Sequence, residues 1–350
     1  MHLLRLGLFA LAALSPVLLL ALAVLQGGLW CGLALIYMGL AALTLDTLLP
    51  LASAQGDDRE FPVADVLLVA LGLCSLALLP GLTWAIAGPG PLGASGRIAL
   101  LVAGGLWFGQ VAHPAAHELI HRPRPLFWLG LSVYTSLLFG HHTSSHRLVH
   151  HVYVASPDDP NSARLGEGFY RFARRAATGS FRRGWQAETR LRASKPAAGL
   201  HPYALYLGGA LACLTLAAVI AGPLGVLVWA ALGLHAASQI LLSDYVQHYG
   251  LRRPPLASGK LAPVSGRESW NAPHWFSSAL MLNAPRHSDH HTHPARRFTA
   301  LDLPPGVPML PWPLPLACLI ALSPRLWRRK MAPVVALATD GPAPPPLANA

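Results

Sequence analysis

Residues 64–86, ADVLLVALGLCSLALLPGLTWAI, form an apolar run in which Asp65 is the only charged side chain. A helix needs about 20 such residues to cross the hydrocarbon core of a bilayer, which is about 30 Å thick. The composition agrees, because 53% of the 350 residues are hydrophobic and only 12% are charged, which is not typical of a soluble chain. We therefore predict an all-α, polytopic membrane protein.

Comparable apolar runs on both sides of this stretch predict six transmembrane helices. The first run is longer than the roughly 7 to 15 residues typical of the apolar core of a cleaved signal peptide, so we interpret it as a retained helix. A single membrane domain over residues 1–330 is expected to be followed by a disordered tail, 331–350, which is rich in Ala and Pro. The predicted spans are residues 3–25, 29–52, 64–86, 98–116, 202–221 and 223–247.

The positive charge is concentrated in two segments. The formal net charge is +11, and of the 26 Lys and Arg residues 12 lie within 122–195 and 11 within 252–330. An excess of Lys and Arg marks the cytoplasmic segments of membrane proteins, so this charge predicts contact with membrane lipid and no nucleic-acid partner. Six crossings that start inside place three segments in the cytoplasm: residues 54–63, 117–201 and 248–350.

Nine histidines occur in four short segments at spacings that suit metal binding. HELIH at 117–121 and HRLVHH at 146–151 each place two imidazoles one helical turn apart, and HSDHH at 287–291 projects three from one helix face. A lone HxxxH is usually two unrelated polar residues, but nine imidazoles exceed the three or four ligands of one zinc ion, so the count favours two metal ions. The histidines are His117, His121, His146, His150, His151, His248, His287, His290 and His291.

Carboxylates close to these histidines are candidates for orienting the imidazoles. Asp158 and Asp159 follow His151 in a turn-rich segment and could accept an imidazole N–H. Asp46, within the second predicted span, is a functional candidate because an ionisable group is costly there, and a helix-end hydrogen bond is the alternative. The other acids beside histidine clusters are Glu118, Asp244 and Asp289.

Four motifs in this order, on a six-helix scaffold, resemble those of the membrane-bound histidine-rich diiron oxygenases, and most closely the alkane 1-monooxygenases of the fatty acid desaturase/hydroxylase superfamily. That family's HExxHK, EHxxGHH, NYxEHYGL and LQRHSDHHA correspond here to HELIHR, SHRLVHH, DYVQHYGL and APRHSDHHT. The departures fall on neighbours of the histidines. Ser145 and Gln247 replace glutamates, Asp244 an asparagine, Val149 a glycine and Pro285 a glutamine.

The resemblance implies that the nine histidines bind two non-haem iron ions and that O2 is the co-substrate. It implies terminal hydroxylation of an alkane or alkyl chain, a hydrophobic small-molecule substrate, with electrons from rubredoxin and rubredoxin reductase. It also implies a multi-pass protein of the bacterial inner membrane whose active site faces the cytoplasm.

Other functions remain open from the sequence. A methyl hydroxylase like the xylene monooxygenases and a fatty-acyl desaturase or hydroxylase belong to the same superfamily. The HExxH of residues 117–121 is also the motif of intramembrane zinc proteases, with Glu118 as general base, but that reading leaves about six histidines unexplained. A metal-ion transporter would place its histidines inside the membrane and not at one face.

Overall fold

Long apolar runs form long helices in the computed structural model, which describes residues 2–49, 63–194 and 199–340. Within these residues the regular structure is helical, with two isolated β-bridges and no strand, which confirms the all-α class. In chain order the helices are α1 (His2–Gln26), α2 (Leu29–Leu48), α3 (Val63–Ala87), α4 (Ala94–Ile120), α5 (Leu126–Ser136), α6 (142–153), α7 (Phe169–Ala193), α8 (Pro202–His248), α9 (Trp275–Leu280), α10 (His287–Thr292), α11 (Leu314–Ala321) and α12 (Pro324–Asp340).

Five of the described helices are long and apolar enough to cross a membrane: α1, α2, α3, α4 and α8. They pack on one another through a shared apolar core, whereas their outer faces expose large apolar residues such as Leu11, Leu25 and Leu234, which are 67%, 78% and 72% exposed. Hydrocarbon is the solvent that such a surface requires. The chain is thus built as a multi-pass membrane protein.

Helix α8 contains 47 residues, about 70 Å of helix, which is more than twice the thickness of a bilayer core. Its backbone leaves helical geometry at Ala221 and Gly222, and Gly222 has φ 61°, a value that favours glycine. Pro223 follows directly and begins the second half. The break therefore separates the residues predicted as the fifth and sixth spans.

Three of the described helices contain a π-helical turn: Tyr37–Ala41 in α2, Phe108–Ala112 in α4 and His146–His150 in α6. The turn in α4 directly precedes the His113–Pro114 peptide. A proline cannot donate a hydrogen bond to the carbonyl four residues earlier, and its ring displaces that carbonyl, which accounts for the wider turn. Such turns change which residues share a helix face, and the third one has this effect in the metal centre.

One sequence prediction is wrong in part. The tail was expected to be disordered over 331–350, but α12 continues to Asp340, where Met331 and Val335 pack into a second core cluster beside α7 and α8. Before α9 the chain is not helical at Trp270 and Asn271, whose N–H groups donate to Gln247 O and Pro308 O. The end of the second predicted span (50–52), the loop at 54–62 and residues 341–350 lie outside the described residues.

Candidate metal centre

The nine histidines of the four motifs converge at the ends of α4, α6, α8 and α10. Their ring nitrogens form two adjoining groups, and within each group the potential ligand atoms all lie within 4.8 Å of one another. The five-histidine group contains His117, His121, His146, His151 and His290. The four-histidine group contains His150, His248, His287 and His291.

The π-helical turn in α6 decides how its three histidines are distributed. An α-helical spacing would place His146 and His150 one turn apart on the same face, but the structure places them in different groups. In a π-helical turn the residues at i and i+5 come together, and Nε2 of His146 lies 2.9 Å from Nε2 of His151. A single helical segment thereby contributes to both groups.

Helix α10 also contributes to both groups, although its three histidines were expected to project from one face. His287 and His291 belong to the four-histidine group and their Nε2 atoms are 3.1 Å apart, whereas His290 lies beside His151 at 3.1 Å. Successive residues of an α-helix are rotated by about 100°, so His290 points to a different side from His291. Asn271 positions this helix, because its Oδ1 accepts the N–H of Ser288 at 3.0 Å.

The inner nitrogens of the two groups fit metal ions better than a hydrogen-bonded network. Nε2 of His146 lies 2.8 Å from that of His117, and Nε2 of His248 lies 3.1 Å from that of His287. Nitrogens bound to one ion at about 2.1 Å and at right angles are about 3.0 Å apart. The Nδ1 of His248 donates to Glu268 O at 2.8 Å, so its Nε2 carries a lone pair that faces another imidazole.

Ring nitrogens without a hydrogen-bond partner support the same conclusion. His150 places its Nδ1 2.8 Å from Asp159 Oδ2, and its buried Nε2 has no hydrogen-bond partner among the described residues. The Nε2 of His121 is likewise buried and unpartnered. Unpartnered lone pairs that converge in a buried site are stabilised when a cation occupies it.

Burial also keeps most of these imidazoles neutral, which is the form that binds metals. Burial, assisted by the neighbouring histidines, lowers the pKa of several of them well below the usual value. His150 differs, because burial alone lowers its pKa but the Asp159 carboxylate raises it on balance. The histidines with strongly lowered pKa are His121, His146, His151, His287, His290 and His291.

The predicted carboxylates have different surroundings, and of the five Asp159 alone hydrogen-bonds to a clustered histidine. Burial raises the pKa of Asp159, but His150 and the hydrogen bonds from Ser162 and the Asn161 N–H lower it overall. Asp158 is 63% exposed and pairs with Arg183, so the turn directs it away from the site.

The other three acids connect parts of the chain around the site. Glu118 accepts hydrogen bonds from Arg122 at 2.7 Å and from the N–H of Phe298 at 3.1 Å, and is thus engaged, unlike a free general base. Asp244 accepts from Asn161 at 2.6 Å. Asp289 accepts from His293, Arg296 and the N–H of Asp302, which fixes α10 to the following segment.

Sequence reasoning missed the Glu268 carbonyl that orients His248. A backbone carbonyl carries no residue signature, so no motif could have indicated it. Asp46, predicted as a functional candidate, instead has the helix-end role that was the alternative. Its carboxylate is buried and accepts the N–H groups of Phe276 and Ser277 at 2.8 and 3.0 Å, at the start of α9.

A cavity of 360 Å³ extends from the membrane helices to the histidines. Met38, Leu106 and Leu242 line its apolar walls, and His117 and His290 line its end at the metal centre. Such a volume is within the usual range for small-molecule sites. The metal centre is therefore accessible from a chamber between apolar helices.

Comparison with known proteins agrees with this geometry. The family model described as fatty acid desaturase matches residues 93–303, which include all nine histidines. The chain belongs to the fatty acid desaturase family. Members of this superfamily hold metal at histidine clusters, so the fit of the two groups to metal is a property expected of the family.

Among the curated relatives of this desaturase-family chain are several alkane 1-monooxygenases, which confirms the resemblance indicated by the four motifs. The enzyme from Pseudomonas putida is 32% identical over 247 residues, 68% of this chain and 60% of that protein. Alkane 1-monooxygenase 1 from Alcanivorax borkumensis is 30% identical over 318 residues, 87% and 77% of the two chains. The xylene/toluene monooxygenase hydroxylase component XylM from Pseudomonas putida is 27% identical over 231 residues, 61% and 58%.

Two departures from the motifs of this desaturase-family branch can be placed in the structure. Gln247 donates its Nε2–H to Ala284 O at 3.2 Å and accepts from Ser243 at 2.7 Å, so the amide connects α8 to the segment before α10. Ser145 is buried and contacts His142 O at 3.4 Å. Neither side chain contacts a clustered histidine through a hydrogen bond, so both changes leave the nine imidazoles in place.

Proposed function

We propose that this protein is a membrane monooxygenase that inserts one oxygen atom from O2 into a C–H bond of an alkane or alkyl chain. The observation that carries the proposal is the convergence of nine histidines into a five-membered and a four-membered group at the end of a cavity within the membrane helices. The named activity of the alkane 1-monooxygenase relatives supports the same reaction.

The nine histidines would hold two iron ions, which supply the redox chemistry of O2 activation. The reaction consumes one C–H bond, one O2, two electrons and two protons, and it yields an alcohol and one water. We assign the electrons to rubredoxin and rubredoxin reductase by analogy with the family. Asp159 and the Glu268 carbonyl would fix the orientations of His150 and His248, which keeps their lone pairs directed inward.

The helices around the cavity would bind the substrate and exclude water. A hydrocarbon partitions into the bilayer, whereas electrons arrive from the aqueous phase, so a metal centre at the helix ends is accessible to both. We propose six crossings, with α8 providing two of them on either side of Ala221 and Gly222. The basic residues of α7 and α12 would then face the cytoplasm of a bacterial inner membrane and attract an acidic electron carrier.

Metal content and product identity together test the proposal. We expect purified protein to contain about two irons per chain by elemental mass spectrometry and to convert octane to octanol with rubredoxin, its reductase and NADH. About one zinc without iron would contradict the diiron assignment. Two irons with an unsaturated acyl product and no alkanol would assign the chain to the desaturases, and benzyl alcohols from xylenes in preference to alkanols would assign it to the methyl hydroxylases.

A further inference from the structure

The cavity between the membrane helices has a polar part that a plain hydrocarbon does not require. About halfway along the second half of α8, His235 and Gln239 line it one helical turn apart, and Gln110 lines it from α4. We call these three residues the polar station. Polar side chains within membrane spans are costly, and they mark substrate pathways by default.

The two helices are shaped to admit these side chains. Gly105 and Gly109, one turn apart on α4, face His235 and Gln239. A Cβ at Gly105 would lie 2.0 Å from His235 Nδ1, and one at Gly109 would lie 2.2 Å from Gln239 Nε2. Any residue larger than glycine would displace the imidazole and the amide. The sequence therefore combines two glycines on one helix with two polar residues on the other.

Hydrogen-bonding capacity remains unused at the polar station. Gln239 donates its Nε2–H to Gly105 O at 2.8 Å, which leaves its Oε1 as an acceptor. The Oε1 of Gln110 is buried and has no hydrogen-bond partner among the described residues. A buried polar group without a hydrogen-bond partner costs free energy, and this cost is recovered when a ligand supplies the partner.

The charge of the lining restricts the ligand. The cavity lining within the described residues includes no Lys or Arg, and its two acids, Glu118 and Asp244, already have partners in Arg122 and Asn161. An anionic headgroup would find no counter-ion there. Amide and imidazole groups suit an uncharged group that both donates and accepts hydrogen bonds.

Distance along the helices restricts where on the ligand this group lies. Gln239 and His235 precede His248 by nine and thirteen residues, about 14 and 20 Å at 1.5 Å per residue. Gln110 precedes His117 by seven residues, about 10 Å. An extended alkyl chain advances by somewhat less than the C–C bond length of about 1.5 Å at each bond, because it zigzags, so a chain on the order of ten carbons connects the polar station to the metal centre.

We infer that the substrate is an amphiphilic chain with an uncharged hydrogen-bonding group, of the alcohol class, which the polar station binds while the opposite chain end reaches the metal centre. This inference rests on the proposed function and makes its substrate class more specific. Oxidation would then occur at the end remote from the polar group, so that a long-chain alcohol gives the α,ω-diol.

Binding and turnover, measured separately on full-length protein in lipid nanodiscs, test this inference. The binding of radiolabelled dodecanol and of radiolabelled dodecane is titrated by scintillation proximity. The concentration of each ligand is expressed as its mole fraction in the lipid. We expect dodecanol to bind about 3- to 10-fold more tightly than dodecane, the effect of one net hydrogen bond. Gln110→Leu and Gln239→Leu should bring this ratio close to one, and the iron content should not change.

Two features keep the result interpretable. The Oε1 of Gln110 has no partner to lose, so Gln110→Leu should fold normally even if Gln239→Leu, which loses the bond to Gly105, does not. Thr215→Val is the control, because Thr215 lies on the outer face of α8 and its hydroxyl donates to Leu211 O of its own helix. The ratio of dodecanol affinity to dodecane affinity in the Thr215 variant should equal that of the unmodified protein.

Equal affinities for the two ligands, unchanged in both Gln variants, would overturn the inference and indicate that water occupies the polar station. The proposed function would survive that result if dodecane is still hydroxylated. Conversely, tight dodecanol binding that depends on Gln110, without turnover of either ligand by iron-loaded protein, would support the polar station and contradict the proposed oxidation.

Discussion

At the scale of single residues, the direction of the His290 side chain makes α10 contribute to both histidine groups. His290 is the residue of α10 that joins the five-histidine group, 3.1 Å from His151, whereas its neighbours His287 and His291 complete the other group. Because no other residue of α10 reaches the five-histidine group, we expect His290→Ala to abolish product formation and to lower the iron content per chain.

His201→Ala is the matched control for this variant. His201 stacks on Trp185 at a ring distance of 4.3 Å and belongs to neither histidine group. We expect the His201→Ala protein to retain its iron and its activity. Full activity of the His290 variant in the octane assay would refute the ligand assignment.

Asp159 tests the orientation of a ligand without removing the ligand. Asp159→Asn keeps an oxygen that can accept from His150 Nδ1 but removes the negative charge, and its amide can also turn its NH₂ group toward the ring. We expect a loss of about 10- to 100-fold in metal affinity or activity, as is usual for groups that orient metal-bound histidines. Metal titration of the apoprotein measures the first effect and steady-state turnover the second.

The exposed Asp158 provides the comparison, because it pairs with Arg183 and contacts no clustered histidine. Asp158→Asn should match the unmodified protein in both assays. If the two variants lose equal amounts of metal affinity, the contact between Asp159 and His150 has no special role.

At the scale of secondary-structure elements, short helices are held in place by side chains from distant spans. Helix α9 has six residues and begins with two N–H groups that the buried Asp46 carboxylate of α2 accepts. Asp46→Ala leaves both groups buried without a partner. We expect a loss of about 1 to 3 kcal/mol in stability, seen as a lower Tm in detergent, with iron content preserved in the folded fraction.

The neighbouring Thr47 gives a control on the same helix. Its side chain is exposed and bonds to Leu43 O within α2, so Thr47→Ala should not change the Tm. An Asp46→Ala protein with the Tm of the unmodified chain would show that the contact to α9 contributes nothing to stability.

At the scale of the whole molecule, the number of crossings determines which loops share a side of the membrane. Six crossings place the loop at Gly90 and the break at Ala221 on one side and α7 on the other. In a variant without the four native cysteines, we expect Gly90→Cys and Leu224→Cys to react with an impermeant maleimide added to intact cells. We expect Gln186→Cys on α7 to react only after the membrane is permeabilised.

All three positions tolerate the change, because a Cβ at Gly90 meets no atom within 4 Å and both Leu224 and Gln186 are exposed. Labelling of Leu224→Cys only from the side of Gln186 would contradict two crossings by α8. The experiment therefore tests the topology independently of catalysis.

The amino-acid sequence alone was sufficient to predict the all-α class, a multi-pass membrane protein and the family, because apolar length and repeated motifs are local properties of the chain. It also indicated the nine histidines that the structure brings together. Only the tertiary structure decided which histidines act together. His146 pairs with His151 because of a π-helical turn, and α10 contributes to both groups because of its rotation. The Glu268 carbonyl, the contact from Asp46 to α9 and the pairing of Gly105 with His235 join residues distant in the chain, and no local pattern specifies such contacts.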